Sequence, residues 1–179
     1  MTTHGDALRV SFVESRFGLI GIASSRKGIV RLTFPLRSEG SFRRLLSREY
    51  RGSDISDGGR ENQKAVRQVA LYLEGRLRAF DLPLDLRGSS FRRRVLAAVS
   101  MIPYGETMSY GQIARRAGSP GGARAVGQAV GANPVPLIVP CHRVIASDGS
   151  LGGFGLGLPM KRRLLDLEGW IPDSSTSLR

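Results

Sequence analysis

The sequence predicts a mixed α/β chain (α+β) with a strand-rich N-terminal part and a mostly helical C-terminal part. Three observations predict it. Residues 8–34 hold short apolar runs punctuated by Gly18, Gly21 and Gly28, the pattern of paired strands. From residue 89 onward, apolar residues recur at helical spacing behind serines able to cap helices. Between the two lies an extended connector, residues 81–88 (DLPLDLRG). The expected domains are 1–86 and 87–172, followed by a frayed tail at 173–179.

Residues 8–14 (LRVSFVE), 17–23 (FGLIGIA) and 28–34 (GIVRLTF) are expected to form an antiparallel meander, because apolar and polar residues partly alternate. Phe42, Leu45 and Leu46 then recur at helical spacing, and residues 51–60 (RGSDISDGGR) read as a surface loop. A helix follows, with Ala65, Val66, Val69, Ala70 and Leu73 on one face. In the second part, Ser89 or Ser90 caps a helix turning Phe91, Val95, Leu96 and Val99 inward. Residues 102–106 (IPYGE) make a turn. A helix from Thr107 or Ser109 to Ala117 carries Tyr110, Ile113, Ala114 and Ala117 on one side, and Gly118 stops it. Ser119-Pro120 suits the start of the next helix, which runs to about Gly131. The two helices match a helix-turn-helix. Asn133–Pro140 (NPVPLIVP) is expected to be extended and buried, since each X-Pro step disfavours helix before it. A glycine-rich loop occupies 149–157. Pro159 opens a last helix carrying Leu164, Leu165 and Leu167, and Gly169 ends it.

A chain of 179 residues with 41% hydrophobic content can bury a core, which argues against wholesale disorder. No apolar run approaches the roughly 20 residues of a membrane span. The segment MTTHGDALRV lacks the basic-then-apolar pattern of a secretory signal. One cysteine excludes an internal disulfide, and one cysteine with two histidines excludes a closed Cys/His zinc site. The formal net charge is +12, spread along most of the chain. A folded basic surface of this kind suits a polyanion, most often nucleic acid; a merely solvated surface is the alternative. GGFGLG at 152–157 is followed by no GK[ST], so it does not read as a phosphate cradle.

The only cysteine lies in Val139-Pro-Cys-His-Arg-Val-Ile145. Neighbouring positive charge favours the reactive thiolate, and a single Cys beside a His is a candidate nucleophile. An inert buried thiol is the competing reading. On an extended chain residues 141 and 142 point to opposite sides, so a bridging water would link the sulfur to the imidazole. His142 then needs a partner on its other nitrogen to fix its tautomer; Glu168, Asp148 and Asp166 compete for that place. Arg124 follows Pro120-Gly-Gly-Ala123, small residues that let a helix approach another surface closely. It reads either as a DNA contact or as a solvated arginine, and Tyr110 reads first as a core aromatic.

Asn133-Pro-Val-Pro136, Pro140-Cys-His-Arg-Val144 and the upstream helix-turn-helix resemble the O6-alkylguanine-DNA alkyltransferases, also called methylated-DNA–protein-cysteine methyltransferases. The resemblance spans roughly residues 88–170. It includes Ile102-Pro-Tyr-Gly-Glu106, Ser109-Tyr110, Ala123-Arg-Ala-Val-Gly127 and Leu164-Leu-Asp-Leu-Glu-Gly169. It implies a ribonuclease-H-like N-terminal domain and a winged-helix-like C-terminal domain. It implies a monomer that binds double-stranded DNA in the minor groove and flips out O6-alkylguanine. The alkyl group then passes once, irreversibly, to Cys141, with no cofactor and no metal. By the same resemblance His142 takes the thiol proton through a water, Glu168 orients His142, and Asn133 braces the turn around the site. Arg124 fills the gap left by the flipped base, and Tyr110 crowds the neighbouring phosphate and faces the guanine. Ser109, Gly122 and Ala123 belong to the DNA-binding surface. The carbonyls of Cys141 and Val144 read the guanine amine.

Two departures from the family pattern bear on the pocket. Phe154-Gly155 stands where a Tyr followed by Ser or another residue is common, so a hydroxyl near the guanine O6 is missing and the Gly155 N–H remains as a donor. Leu156 stands where Gly is frequent and is expected to narrow the pocket toward small alkyl groups. A lone reactive thiol suits a reducing, cytoplasmic compartment. The rival readings are a lesion-sensing binder that does not transfer, a helix-turn-helix regulator reading the major groove, and a cysteine hydrolase. The +12 charge predicts DNA affinity that falls steeply as salt rises, through counterion release. A flat salt profile in a binding titration would contradict a basic binding face.

Overall fold

Glycine-punctuated apolar segments pair into the first sheet of the computed structural model, which describes residues 7–171. The expected tail at 173–179 lies outside the described residues. Two units divide the chain, Met1–Arg87 and Gly88–Arg179. In the first, β1 (Leu8–Val13), β2 (Leu19–Ser25) and β3 (Gly28–Leu36) form the antiparallel meander. β4 (Ile55–Asp57) joins β1 in parallel, giving the order β3-β2-β1-β4. Residues 51–60 are therefore not all loop. Three residues are too few to show a period, yet backbone bonds from Leu8 N–H to Asp54 (2.7 Å) and from Gly58 N–H to Val10 (2.9 Å) frame the strand.

α1 (Glu39–Glu49) starts at Ser38, whose side chain and that of Ser41 cap each other's backbone reciprocally. Its Phe42 and Leu46 close a core with Leu8, Val10, Ala23 and Val30. α2 (Arg60–Leu73) buries Ala65, Val69 and Leu73, as the spacing predicts, and also Tyr72 and Asn62. Val66 and Ala70 are only half-buried. Asn62 is polar on an apolar face because it fastens α2 to the sheet: its Nδ2 donates to the Arg9 carbonyl (2.8 Å) and the Gly58 carbonyl (3.1 Å).

The second unit is mostly helical. α3 (Ser90–Ser100) is capped by Ser89, which accepts from Arg92 N–H, and buries Val95, Leu96 and Val99. α4 (Tyr110–Arg116) is capped by Ser109, with Gln112 closing a capping box. Gly118 takes φ +70° just past its end, where a side chain would be strained. α5 (Ala123–Gly131) starts later than Ser119-Pro120 suggests. Gly122 N–H bonds to the Ser119 carbonyl (2.9 Å), so residues 119–122 form the turn of the helix-turn-helix rather than a first helical turn. Ile113, Ala114, Val126 and Val130 of the pair are buried. β5 (Met108–Ser109) and β6 (Val144–Ile145) form a short parallel pair that ties the start of α4 to the segment after Cys141. α6 (Leu158–Leu167) buries Leu164 and Leu165.

Asn133–Pro140 is coiled, not extended. Val139 N–H bonds back to the Val135 carbonyl (3.0 Å), and Leu137 sits at φ +73°. That left-handed conformation costs on the order of 1–2 kcal/mol for a leucine, which its burial helps offset. Asn133 clamps both ends of the coil, accepting from Val135 N–H (3.1 Å) and donating to the Val139 carbonyl (2.8 Å). The prolines exclude a helix, and this side chain, with the Val139–Val135 backbone bond, turns the segment back on itself.

Asn62→Ala should destabilise the first unit by about 1–2 kcal/mol, because it removes the donor to two partly buried carbonyls. Denaturant unfolding measures this, and an unchanged midpoint would contradict the role of Asn62.

Candidate active site

Cys141–Arg143 form one turn of 3-10 helix, not an extended strand. Cys141 N–H bonds to the Val139 carbonyl (2.8 Å) and Arg143 N–H to the Pro140 carbonyl (2.9 Å). At three residues per turn, consecutive side chains fan out instead of alternating. His142 and Arg143 both reach Glu168 at the end of α6. Cys141 interacts instead with Asn133 and Lys161.

Glu168 is the centre of a buried polar cluster. Its Oε1 lies 2.9 Å from His142 Nε2 and accepts from Arg143 Nη2 at 2.8 Å. Its Oε2 accepts from Arg143 Nε at 2.9 Å and from Gly105 N–H at 3.0 Å. Arg143 Nη1 donates to the Ile102 carbonyl (2.6 Å), and Tyr104 Oη donates to the Leu167 carbonyl (3.0 Å). The side chains of His142 and Glu168 are fully buried. Of the three carboxylates in competition, Glu168 is the one that meets His142. Asp148 accepts from Ser150 on the surface, and Asp166 pairs with Arg162.

Burial decides the resting protonation states. It pushes the Cys141 thiol up, although a hydrogen bond from Asn133 and the charge of Lys161 pull the other way. Positive charge does favour the thiolate, as the sequence suggests, but that charge is Lys161's and burial outweighs it. The adjacent cation, Arg143, faces Glu168, and desolvation outweighs the rest. Burial also lowers the pKa of His142; Glu168 opposes this, and Arg143 reinforces it. The carboxylate's charge is already shared with the guanidinium, so it supports an imidazolium only weakly. The resting pair is a neutral thiol beside a neutral imidazole.

Tyr110 opens α4, half-buried, and its hydroxyl donates to the Gly153 carbonyl (3.2 Å). Its ring lies against Gly152, where φ is +64° and an added Cβ would come within 3.1 Å of the ring. Burial holds its hydroxyl above the usual phenol pKa. Ser109 and Gly122 are the N-caps of α4 and α5, Ala123 starts α5, and Arg124 is exposed on α5. Val144 is fully buried in β6. Its carbonyl accepts from Lys161 Nζ (2.5 Å), while the Cys141 carbonyl accepts from Val144 N–H. Each of these oxygens keeps a second lone pair for another donor. Phe154 and Leu156 are half-buried and Gly155 is exposed.

Sequence reasoning missed two residues. Arg143 read only as a nearby charge, and Lys161 was not considered. Lys161 stands three and four residues before Leu164 and Leu165, on the apolar face of α6, and a charge there is itself a signal.

The family model described as the 6-O-methylguanine DNA methyltransferase DNA binding domain matches residues 90–170. The one described as the ribonuclease-like domain of the same enzyme matches residues 8–86. A methylated-DNA–protein-cysteine methyltransferase of Mycolicibacterium paratuberculosis is 45% identical over 160 residues, 87% of this chain and 89% of that protein. The crystal structure of Mycobacterium tuberculosis O6-methylguanine methyltransferase is 39% identical and superposes with a TM-score of 0.76, covering 94% of this chain and 98% of that one. A second structure from that organism, in complex with DNA, is 40% identical with a TM-score of 0.75, covering 95% and 98%. The chain belongs to the 6-O-methylguanine DNA methyltransferase family.

Proposed function

We propose that this protein repairs O6-alkylguanine in double-stranded DNA by moving the alkyl group onto its own Cys141, once per molecule. The observation that carries this reading is the placement of the chain's only thiol on the turn that also presents His142 to a fixed, buried carboxylate. Such a turn gives a nucleophile with a base behind it and an orienting group behind the base. The helix-turn-helix lies in the same unit, with Gly122, Ala123 and the exposed Arg124 at the start of α5, which in this reading is the surface that meets the minor groove. Extrusion of the base costs a few kcal/mol, which phosphate contacts help offset.

In the transfer step the Cys141 proton passes through a water to His142, on the nitrogen away from Glu168. The sulfur electron pair forms a bond to the alkyl carbon, and the carbon–O6 bond breaks. Guanine leaves with that electron pair and takes a proton from Tyr110, whose raised pKa keeps it a donor at neutral pH. Asn133 keeps the coil before Cys141 in shape, and Phe154, Gly155 and Leu156 line the alkyl pocket beside Val144. The product is a thioether, and no second thiol exists to regenerate the protein. The same need for a reduced thiol supports action in the cytoplasm, as a monomer, since one chain supplies the whole site. No helix among the described residues is long and apolar enough to cross a membrane.

Mixing the protein with DNA that carries O6-methylguanine should add one methyl to the Cys141 peptide, saturating at one per chain. Cys141→Ala should abolish the gain and keep DNA binding. Lesion-selective binding with no mass gain would support a sensing protein instead. Arg124→Ala should slow repair in duplex DNA more than transfer from the free base; equal losses would remove Arg124 from flipping. Benzyl transfer should be slower than methyl transfer if Leu156 narrows the pocket, and equal rates would refute that.

A further inference from the structure

α3 carries Arg92, Arg93 and Arg94 just inside its N-terminus, and its first turn holds no acidic residue. Cations there run against the helix dipole, whose N-terminal end is positive. A local rule broken in this way points to a use elsewhere in the fold. Arg92 Nη2 donates to the carbonyl of Ala132, the C-cap of α5. Arg94 Nε donates to the carbonyl of Ala117, the C-cap of α4 (3.1 Å). Positions two apart on a helix point to different sides, so α3 reaches both members of the helix-turn-helix, and it packs against both. Arg93 turns back to the Gly88 carbonyl and stays outside this arrangement.

α5 has no basic residue in its own last turn. Arg92 therefore supplies the cation at the negative end of that helix and a donor to a carbonyl that lies past its last turn. The cost is visible: Arg92 Nε is buried with no hydrogen-bond partner among the described residues. Ala132 directly precedes Asn133, the clamp of the coil before Cys141. A Cβ on Gly155 would stand 3.9 Å from the Gly131 carbonyl, so the same end of α5 borders the glycine-rich loop. α4 already ends in Arg115 and Arg116, and Arg94 adds a bond from outside the helix. The bonds that hold Glu168 and the coil before Cys141 come from Arg143, Gly105 and Asn133, none of them on α3.

We propose that Arg92 and Arg94 are positioning residues for DNA docking: from α3 they fix the ends of α5 and α4, so that Arg124 and Tyr110 meet one duplex in a single geometry. This rests on the transfer reading, which gives the helix-turn-helix its DNA. Arg124 lies in the first turn of α5 and Ala132 caps its far end, so a tilt released at Ala132 is carried along a rigid rod to the residue that fills the gap. Small displacements of groups that must meet a substrate together are costly. The two arginines thus act on the duplex through other residues, and the buried thiol cluster keeps its own supports.

The full chain tests this as wild type, Arg92→Met, Arg94→Met and the matching lysine variants, with three readouts. Amide hydrogen exchange without DNA should quicken in Arg92→Met at the end of α5, where Ala132 N–H bonds to the Gln128 carbonyl (3.1 Å). In Arg94→Met it should quicken at the end of α4, where Ala117 N–H bonds to the Ile113 carbonyl (2.8 Å). Each methionine variant should bind duplex DNA carrying O6-methylguanine about fivefold more weakly, the size of effect expected when a helix C-terminus loses its cation. Benzyl transfer from free O6-benzylguanine should slow far less. The lysine variants, which keep charge and donor, should recover most of the exchange protection and the affinity. Weaker duplex binding with exchange unchanged would mean that the arginines touch phosphate themselves, and would overturn the proposal. Faster exchange with duplex affinity unchanged would make them merely structural, and equal losses on duplex and free base would mean general damage; either result also overturns it. Should a methionine variant not fold, Arg92→Gln and Arg94→Gln, which keep a donor without the charge, replace it under the same criteria. Wild type that transfers from neither substrate would sink the transfer reading instead, a failure that the exchange and binding readouts keep distinct.

Discussion

The Arg143–Glu168 ion pair is the constraint on which the second unit's chemistry depends. Taking a carboxylate out of water costs several kcal/mol unless it is paired and hydrogen-bonded. Glu168 also sits at the C-terminal end of α6, where the helix dipole disfavours a negative charge. The forked guanidinium answers both problems, with bonds to both carboxylate oxygens, and the Gly105 N–H adds another. Arg143 also holds the Ile102 carbonyl, so the 102–105 turn, the Cys141 turn and α6 are locked together by one charge pair. His142 takes its orientation from a carboxylate that is already fixed.

That arrangement determines how the thiol is activated. A free carboxylate beside His142 would hold it as an imidazolium and favour a standing thiolate. With Arg143 claiming the charge, burial dominates and both groups rest neutral. In the proposed transfer the thiol ionises only as the alkyl group moves, and His142 accepts the proton because Glu168 steadies the cation that forms.

Much of the scaffold was legible in the sequence because local rules decided it. Ser89 and Ser109 cap the helices they precede, Gly118 ends α4, and the β1–β3 meander follows alternation and glycine turns. What escaped was set by contacts remote in sequence. β4, β5 and β6 have two or three residues each, too short for a period, and exist because a partner strand meets them. Ser119-Pro120 offered good helix-start chemistry, but the chain used it to turn. The coil at 133–140 came from a side chain, Asn133, bonding to backbone two and six residues ahead. In the site, Cys141, His142 and Glu168 were reachable from their residue types and the family resemblance. The turn of Arg143 toward Glu168 and the burial of Lys161 were not, because spacing does not say which charge a burial will spend.

Nitrogen NMR of the His142 ring in the resting protein, followed from about pH 5.5 to pH 8, tests the central claim most directly. The account predicts a neutral ring protonated on Nε2, hydrogen-bonded to Glu168, with no titration near the ordinary histidine value of 6.5. An imidazolium at neutral pH, or a ring that titrates near 6.5, would mean that Glu168 serves His142 before Arg143 and that Cys141 rests as a thiolate, contradicting the account.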